Sequence, residues 1–96
     1  MRYTAEKVIE EVAGICYRSG AASVLLYGSR AKGTARPRSD IDIAVEGAER
    51  FDEMKRQIED IPTLFSIDFV NLDSCKNETL KSEVRTHGIK LQHPAS

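Results

Sequence analysis

The sequence carries no excess of either charge: 14 basic residues stand against 15 acidic ones, for a net charge of −1. Without a global positive field to hold a polyanion, direct DNA binding and attachment to an anionic membrane surface are not expected. Long hydrophobic runs are also missing. The longest wholly apolar stretch is Val24-Leu25-Leu26-Tyr27, far short of the roughly 20 residues of a membrane span. Met1 to Gly14 alternates charged with apolar residues where a signal peptide would carry an apolar core, so a cytoplasmic protein is the expectation. Cysteine is scarce. Cys16 and Cys75 lie far apart with no CxxC or Cys/His spacing around either, which leaves a zinc site or disulfide framework unsupported and fits two reduced, structural thiols. Internal repeats and low-complexity segments are absent as well.

What is present suffices for one modest core. Leu, Ile, Val and Phe supply 23 of the 96 residues, above the roughly 20% below which chains tend to stay disordered, and the length suits a single domain over 1–96. From Thr4 to Ser19, Val8, Ile9, Val12, Ile15 and Cys16 recur at helical steps, with Thr4 as N-cap and Gly20 as terminator. Ser23 to Tyr27 reads as a strand buried on both faces. Asp40 to Val45 alternates, with Ile41, Ile43 and Val45 on one face and Asp42 and Ala44 on the other.

A second helix carries Phe51, Met54, Ile58 and Ile61 and is closed by Pro62; Phe65 to Val70 alternates again, with Asp68 on the polar side. A last helix runs from Asp73 or Asn77 to His87, with Leu80 and Val84 at i,i+4, and ends at Gly88 before a short strand at Lys90-Leu91-Gln92. Residues 93–96 read as a frayed tail, with His93 in solvent and His87 capping its helix. The order implies an α/β (α+β) chain, a small mixed β-sheet with helices packed on it.

Chemistry concentrates between Gly28 and Asp42. Arg30, Lys32, Arg36 and Arg38 fall in a stretch without acids, and Asp40 and Asp42 follow at once. Gly28 lets backbone approach a ligand, and Ser29 with a short turn would aim N–H groups and a hydroxyl outward, as phosphate sites do. Two familiar motifs do not apply: Thr34 stands where a Walker loop needs Lys, and Ser29 lacks a GxSxG elbow. Asp40 and Asp42, two apart on a strand, should share a face with Asp68 of the next strand. Such carboxylates repel by about 4 kcal/mol per pair at 4 Å and an effective dielectric near 20, so a cation belongs between them. Oxygen-only donors point to Mg²⁺ or Mn²⁺ before zinc.

Gly28-Ser29, ten intervening residues, then Asp40-Ile41-Asp42 resembles the GSx10DxD signature of minimal nucleotidyltransferases, the MNT branch of the DNA polymerase beta superfamily. Gly-Ser-Arg-Ala-Lys-Gly and Ser-Asp-Ile-Asp-Ile-Ala-Val follow the family pattern, with Lys32 where Arg is commoner and Ile43 where Leu is commoner. The resemblance spans nearly the whole chain and implies the polymerase beta-like nucleotidyltransferase fold. It implies that Asp40 and Asp42 bind metal and that Asp68 completes the site and helps activate the attacking hydroxyl. Gly28 and Ser29 would hold ATP or another nucleoside triphosphate, helped by Arg30 or Lys32. The reaction implied is attack on the α-phosphate with pyrophosphate leaving.

Larger relatives carry a further acceptor-binding domain, so the acceptor is expected from another protein. The resemblance implies a HEPN toxin as partner, in a toxin–antitoxin system where AMP is transferred to a toxin tyrosine. Two alternatives stay open: an antitoxin that acts by binding alone, and a small-molecule nucleotidyltransferase built from two short chains. Contact with a partner or a second copy, as a homo-oligomer, is expected at the sheet edge or around Leu80, Val84 and Ile89.

Overall fold

Eight elements make up the computed structural model, which describes residues 4–93. In chain order they are α1 (Ala5–Arg18), β1 (Ser23–Tyr27), α2 (Ser29–Lys32), β2 (Ile41–Glu46), α3 (Phe51–Glu59), β3 (Ile67–Asn71), α4 (Glu78–His87) and β4 (Ile89–Lys90). The strands lie in the order β3-β2-β1-β4. β1 is antiparallel to β2 and β4, and β2 is parallel to β3. A parallel pair needs a crossover, and α3 provides it.

The caps explain where the helices begin. The Thr4 hydroxyl accepts the Lys7 N–H at 3.1 Å, and the Asn77 side chain accepts the Leu80 N–H at 3.1 Å, so the last helix starts after Asn77 and not after Asp73. Asp73 has another use. Its carboxylate accepts the N–H groups of Gly47 and Ala48, both at 3.1 Å, tying the turn after β2 to the turn after β3.

Strand alternation divides the molecule into two apolar clusters. On one face Val24, Leu26, Ile41, Ile43 and Val45 meet Val8, Val12, Ile15 and Cys16 of α1 and Met54 and Ile58 of α3. Phe51 of α3 stacks on Phe69 of β3 with centroids 4.8 Å apart and planes at 3°. On the other face Tyr27 and Ala44 pack with Val84 of α4, joined by Leu25, Val70, Leu72 and Leu80. Both cysteines are free. Cys16 is fully buried, and burial pushes its thiol up to about 12. No helix among the described residues is long and apolar enough to cross a membrane.

Several expectations need adjusting. Ser29–Lys32, read as a turn, is a one-turn helix, too short to show any period. β2 begins at Ile41, so Asp40 stands one residue ahead of the strand. Phe65 and Ser66 precede β3, because the Phe65 N–H is drawn back to the Thr63 hydroxyl at 3.1 Å. Ile61 follows α3 but still packs on the main core. The final strand is Ile89–Lys90; Leu91 still donates its N–H to the Val24 carbonyl of β1 at 2.8 Å, while its own carbonyl accepts the Tyr17 hydroxyl at 2.6 Å. Val84 is 2% exposed, so the Leu80/Val84 face of α4 is spent on its own sheet, whereas Ile89 is 48% exposed. Of the tail at 93–96 only His93 is described; it is exposed, with its ring 5.2 Å from that of Tyr17.

Met54 is fully buried between α1 and the sheet. Met54→Ala should cost about 2–5 kcal/mol through lost burial and the cavity it leaves. A urea titration checks this; a midpoint unchanged from wild type would contradict the packing described.

Candidate active site

Register alone assembles the acids. Tyr27 of β1 lies opposite Asp42 of β2, and Asp42 lies beside Asp68 of β3, so three side chains stand in one row across three strands. The adjacent row on that face is Leu25, Ala44 and Val70, apolar and packed against α4. The same face is therefore dry where the helix covers it and acidic at the end of the sheet where β2 and β3 begin. Asp42 is half-buried, Asp68 and Asp40 are exposed. The Asp42 carboxyl is held above its ordinary value, chiefly by burial and then by repulsion from Asp68, Asp40 and Glu83, with Arg30 pulling the other way. Asp40 thus acts on Asp42 by charge alone, from a position ahead of the strand.

The Gly-Ser turn is built directly onto Asp42. Gly28 has φ of 73°, a conformation side chains resist, and a Cβ there would collide with Asp42 Oδ2. Both facts require glycine, and together they bring the loop backbone against the acid. The Gly28 carbonyl accepts the N–H groups of Ala31 at 3.1 Å and Lys32 at 3.2 Å, and the Ser29 carbonyl accepts that of Thr34 at 3.0 Å. α2 stops at Gly33, a left-handed residue with φ of 76°.

The cations of the motif divide by task. Arg30 donates from Nε and Nη2 to the Ser39 carbonyl at 3.2 and 2.8 Å and from Nη2 to the Pro37 carbonyl at 3.2 Å, and lies 5.3 Å over the Phe65 ring. It holds the loop that leads to Asp40. Lys32 pairs with Glu83 of α4 at 2.5 Å, and that lysine holds the Glu83 carboxyl below its ordinary value. Arg36 and Arg38 are exposed. An open groove of about 520 Å³ runs between Lys32 and the polar face of α4, lined by Ser82, Glu83 and His87 among others; Asp40, Asp42 and Asp68 do not line it.

Among the described residues, no three His, Cys, Asp or Glu side chains are grouped so as to hold a metal ion. An open set of mutually repelling carboxylates suits Mg²⁺ or Mn²⁺ all the same. Mg²⁺ usually takes one or two carboxylates and completes its shell with water and phosphate oxygens, whereas zinc prefers nitrogen and sulfur.

Two residues at the site carried no signal in the sequence. Tyr27 reads there as one more apolar strand position, yet its hydroxyl donates to Asp68 Oδ2 at 3.4 Å. Burial and the negative charges of Asp68 and Asp42 raise its phenol well above the usual range. Glu83 sits on a helix that is distant in sequence.

The profile of the polymerase beta nucleotidyltransferase family matches residues 10–94. The chain belongs to that family, and the small mixed sheet with its helices is the family's fold. Among solved structures, a toxin–antitoxin with AMP-PNP is similar at 26% identity and a TM-score of 0.66, covering 94% of this chain and 74% of that one. Two variants of the MntA–HpeT toxin–antitoxin are similar at 23% and 25% identity, with TM-scores of 0.65 and 0.63. They cover 88% and 97% of this chain, and 72% and 75% of theirs. No curated protein matches the chain.

Because folding raises the Asp42 carboxyl above its ordinary 3.8, the folded chain holds that proton more tightly than the unfolded chain. Asp42-linked stability is therefore present at low pH and lost as pH rises through the raised value. In EDTA at pH 7, Asp42→Asn should raise Tm, and the gain should shrink as pH falls toward 3.8. Added Mg²⁺ should raise Tm of wild type and not of the variant. A variant less stable than wild type in EDTA at pH 7 would contradict this electrostatic account.

Proposed function

We propose that this nucleotidyltransferase transfers AMP from ATP to a hydroxyl of a partner protein, a tyrosine of a HEPN toxin, and thereby acts as an antitoxin. The observation that carries the reading is the contact between Gly28 and Asp42. It sets a phosphate-type loop against Asp42, which has Asp68 beside it on the neighbouring strand. The likeness to a toxin–antitoxin structure with AMP-PNP supports both the nucleotide and the partner.

In this reading Gly28 and Ser29 hold the triphosphate, and Arg30 acts through the loop it ties. Lys32 exchanges Glu83 for phosphate oxygens. Asp40, Asp42 and Asp68 hold Mg²⁺ or Mn²⁺, which when bound neutralises charge on the triphosphate and the departing pyrophosphate. The acceptor oxygen attacks the α-phosphorus and gives its proton to Asp68. The new O–P bond forms as the bond to the pyrophosphate oxygen breaks, and pyrophosphate leaves. Asp68 suits this task because it is exposed and arrives from a different strand than the other two acids.

Transfer should therefore depend on Asp68 more steeply than binding does. Asp68→Ala should lower the rate by roughly 10² to 10⁴, while ATP affinity, held by the loop and the first two acids, changes little. Labelled ATP with the HEPN partner, followed by mass spectrometry for an added AMP on Tyr, checks this. Equal rates for the variant and wild type would remove Asp68 from the mechanism. A wild type that neutralises its partner without modifying it would replace the transferase reading with an antitoxin acting by binding alone.

A further inference from the structure

Tyr27 is 3% exposed, and its ring belongs to the apolar cluster with Ala44 and Val84, so its position is set from below by α4. Its hydroxyl nevertheless reaches a charged group. Asp42 stands between Tyr27 and Asp68 in the row, so the phenol spans two strand spacings of about 4.8 Å each and passes the nearer acid to meet the farther one. Among the described residues, no other hydrogen bond to the Asp68 carboxylate is recorded. An exposed aspartate on a strand has more than one staggered χ1 well open to it, and a fixed donor from a packed side chain favours the well that meets it. At 3.4 Å the contact is longer than a relaxed hydroxyl–carboxylate bond of about 2.7 Å.

We infer that Tyr27 is a positioning residue for the transfer reaction: its hydroxyl occupies Asp68 Oδ2 and fixes the carboxylate so that Oδ1 is turned to the acceptor hydroxyl. The inference rests on the role proposed for Asp68. Phenylalanine would fill the same space in the core and leave Asp68 unheld. Loss of such a supporting contact typically costs 10- to 100-fold in activity.

The test uses the full chain with its partner. Tyr27→Phe should retain the wild-type urea midpoint closely and lower kcat for AMP transfer about 10- to 100-fold, with ATP KM within about twofold. In an Asp68→Ala background the same substitution should do nothing further, since the group it positions is gone. An activity-independent readout is the Asp68 χ1 rotamer from NMR couplings, expected to be fixed in wild type and averaged in Tyr27→Phe. An unchanged kcat, a loss of the same size in the Asp68→Ala background, or an Asp68 side chain already averaged in wild type overturns the inference. A wild type that transfers nothing while its Asp68 is fixed by Tyr27 sinks the transferase reading instead and leaves the placement of Asp68 standing.

Discussion

Two carboxylates at one level of adjacent strands are an arrangement that folding alone resists, and the rest of this molecule can be understood as what holds it in place. Asp42 and Asp68 are partners across the parallel β2–β3 pair. A slip of one residue in either strand would turn its acid toward α1 and α3 and its apolar residues outward. The register is secured on the core face, where Ile41 and Ile43 are fully buried and Phe51 stacks on Phe69. Hydrophobic packing on one side of the sheet thus holds like charges together on the other. This is a common division of labour at functional sites, where local strain is offset by the packing around it.

The loop shows a similar economy. Its basic residues crowd a stretch of sequence without acids, but the structure gives Arg30 and Lys32 different partners. Arg30 is spent on carbonyls of its own loop, and so converts a stretch with little regular structure into a fixed approach to Asp40. Lys32 joins the one-turn helix to α4. Charge therefore does structural work, fixing the shape of the loop.

How much was legible in the sequence follows from which interactions are local. Periodicity and capping are local, so α1, β1 and the alternation of Ile41, Ile43 and Val45 could be read directly, as could the Gly-Ser and Asp-x-Asp motif that marks the family. Asp68 could be singled out because it stands on the polar side of the alternation from Phe65 to Val70. Tyr27 was not, since nothing nearby in the chain distinguishes a tyrosine that packs from one that packs and also reaches an acid two strands away. Glu83 and the inward turn of Val84 were hidden for the same reason: both depend on where α4 lands. The α2 helix and the start of β2 at Ile41 lie below the resolution of any pattern, being set by single hydrogen bonds and by the left-handed Gly33.

Gly28 and Asp42 constrain one another unequally. The glycine is required twice, by its positive φ and by the carboxylate pressed against it, whereas nothing in the packing requires the aspartate. A descendant that gave up the reaction could shed Asp42 and relieve the repulsion at the row. It would still need glycine at position 28, because the turn into α2 survives the loss of the acid. In this fold the glycine testifies to the architecture, and a chain that keeps both has kept an acid its fold would be easier without.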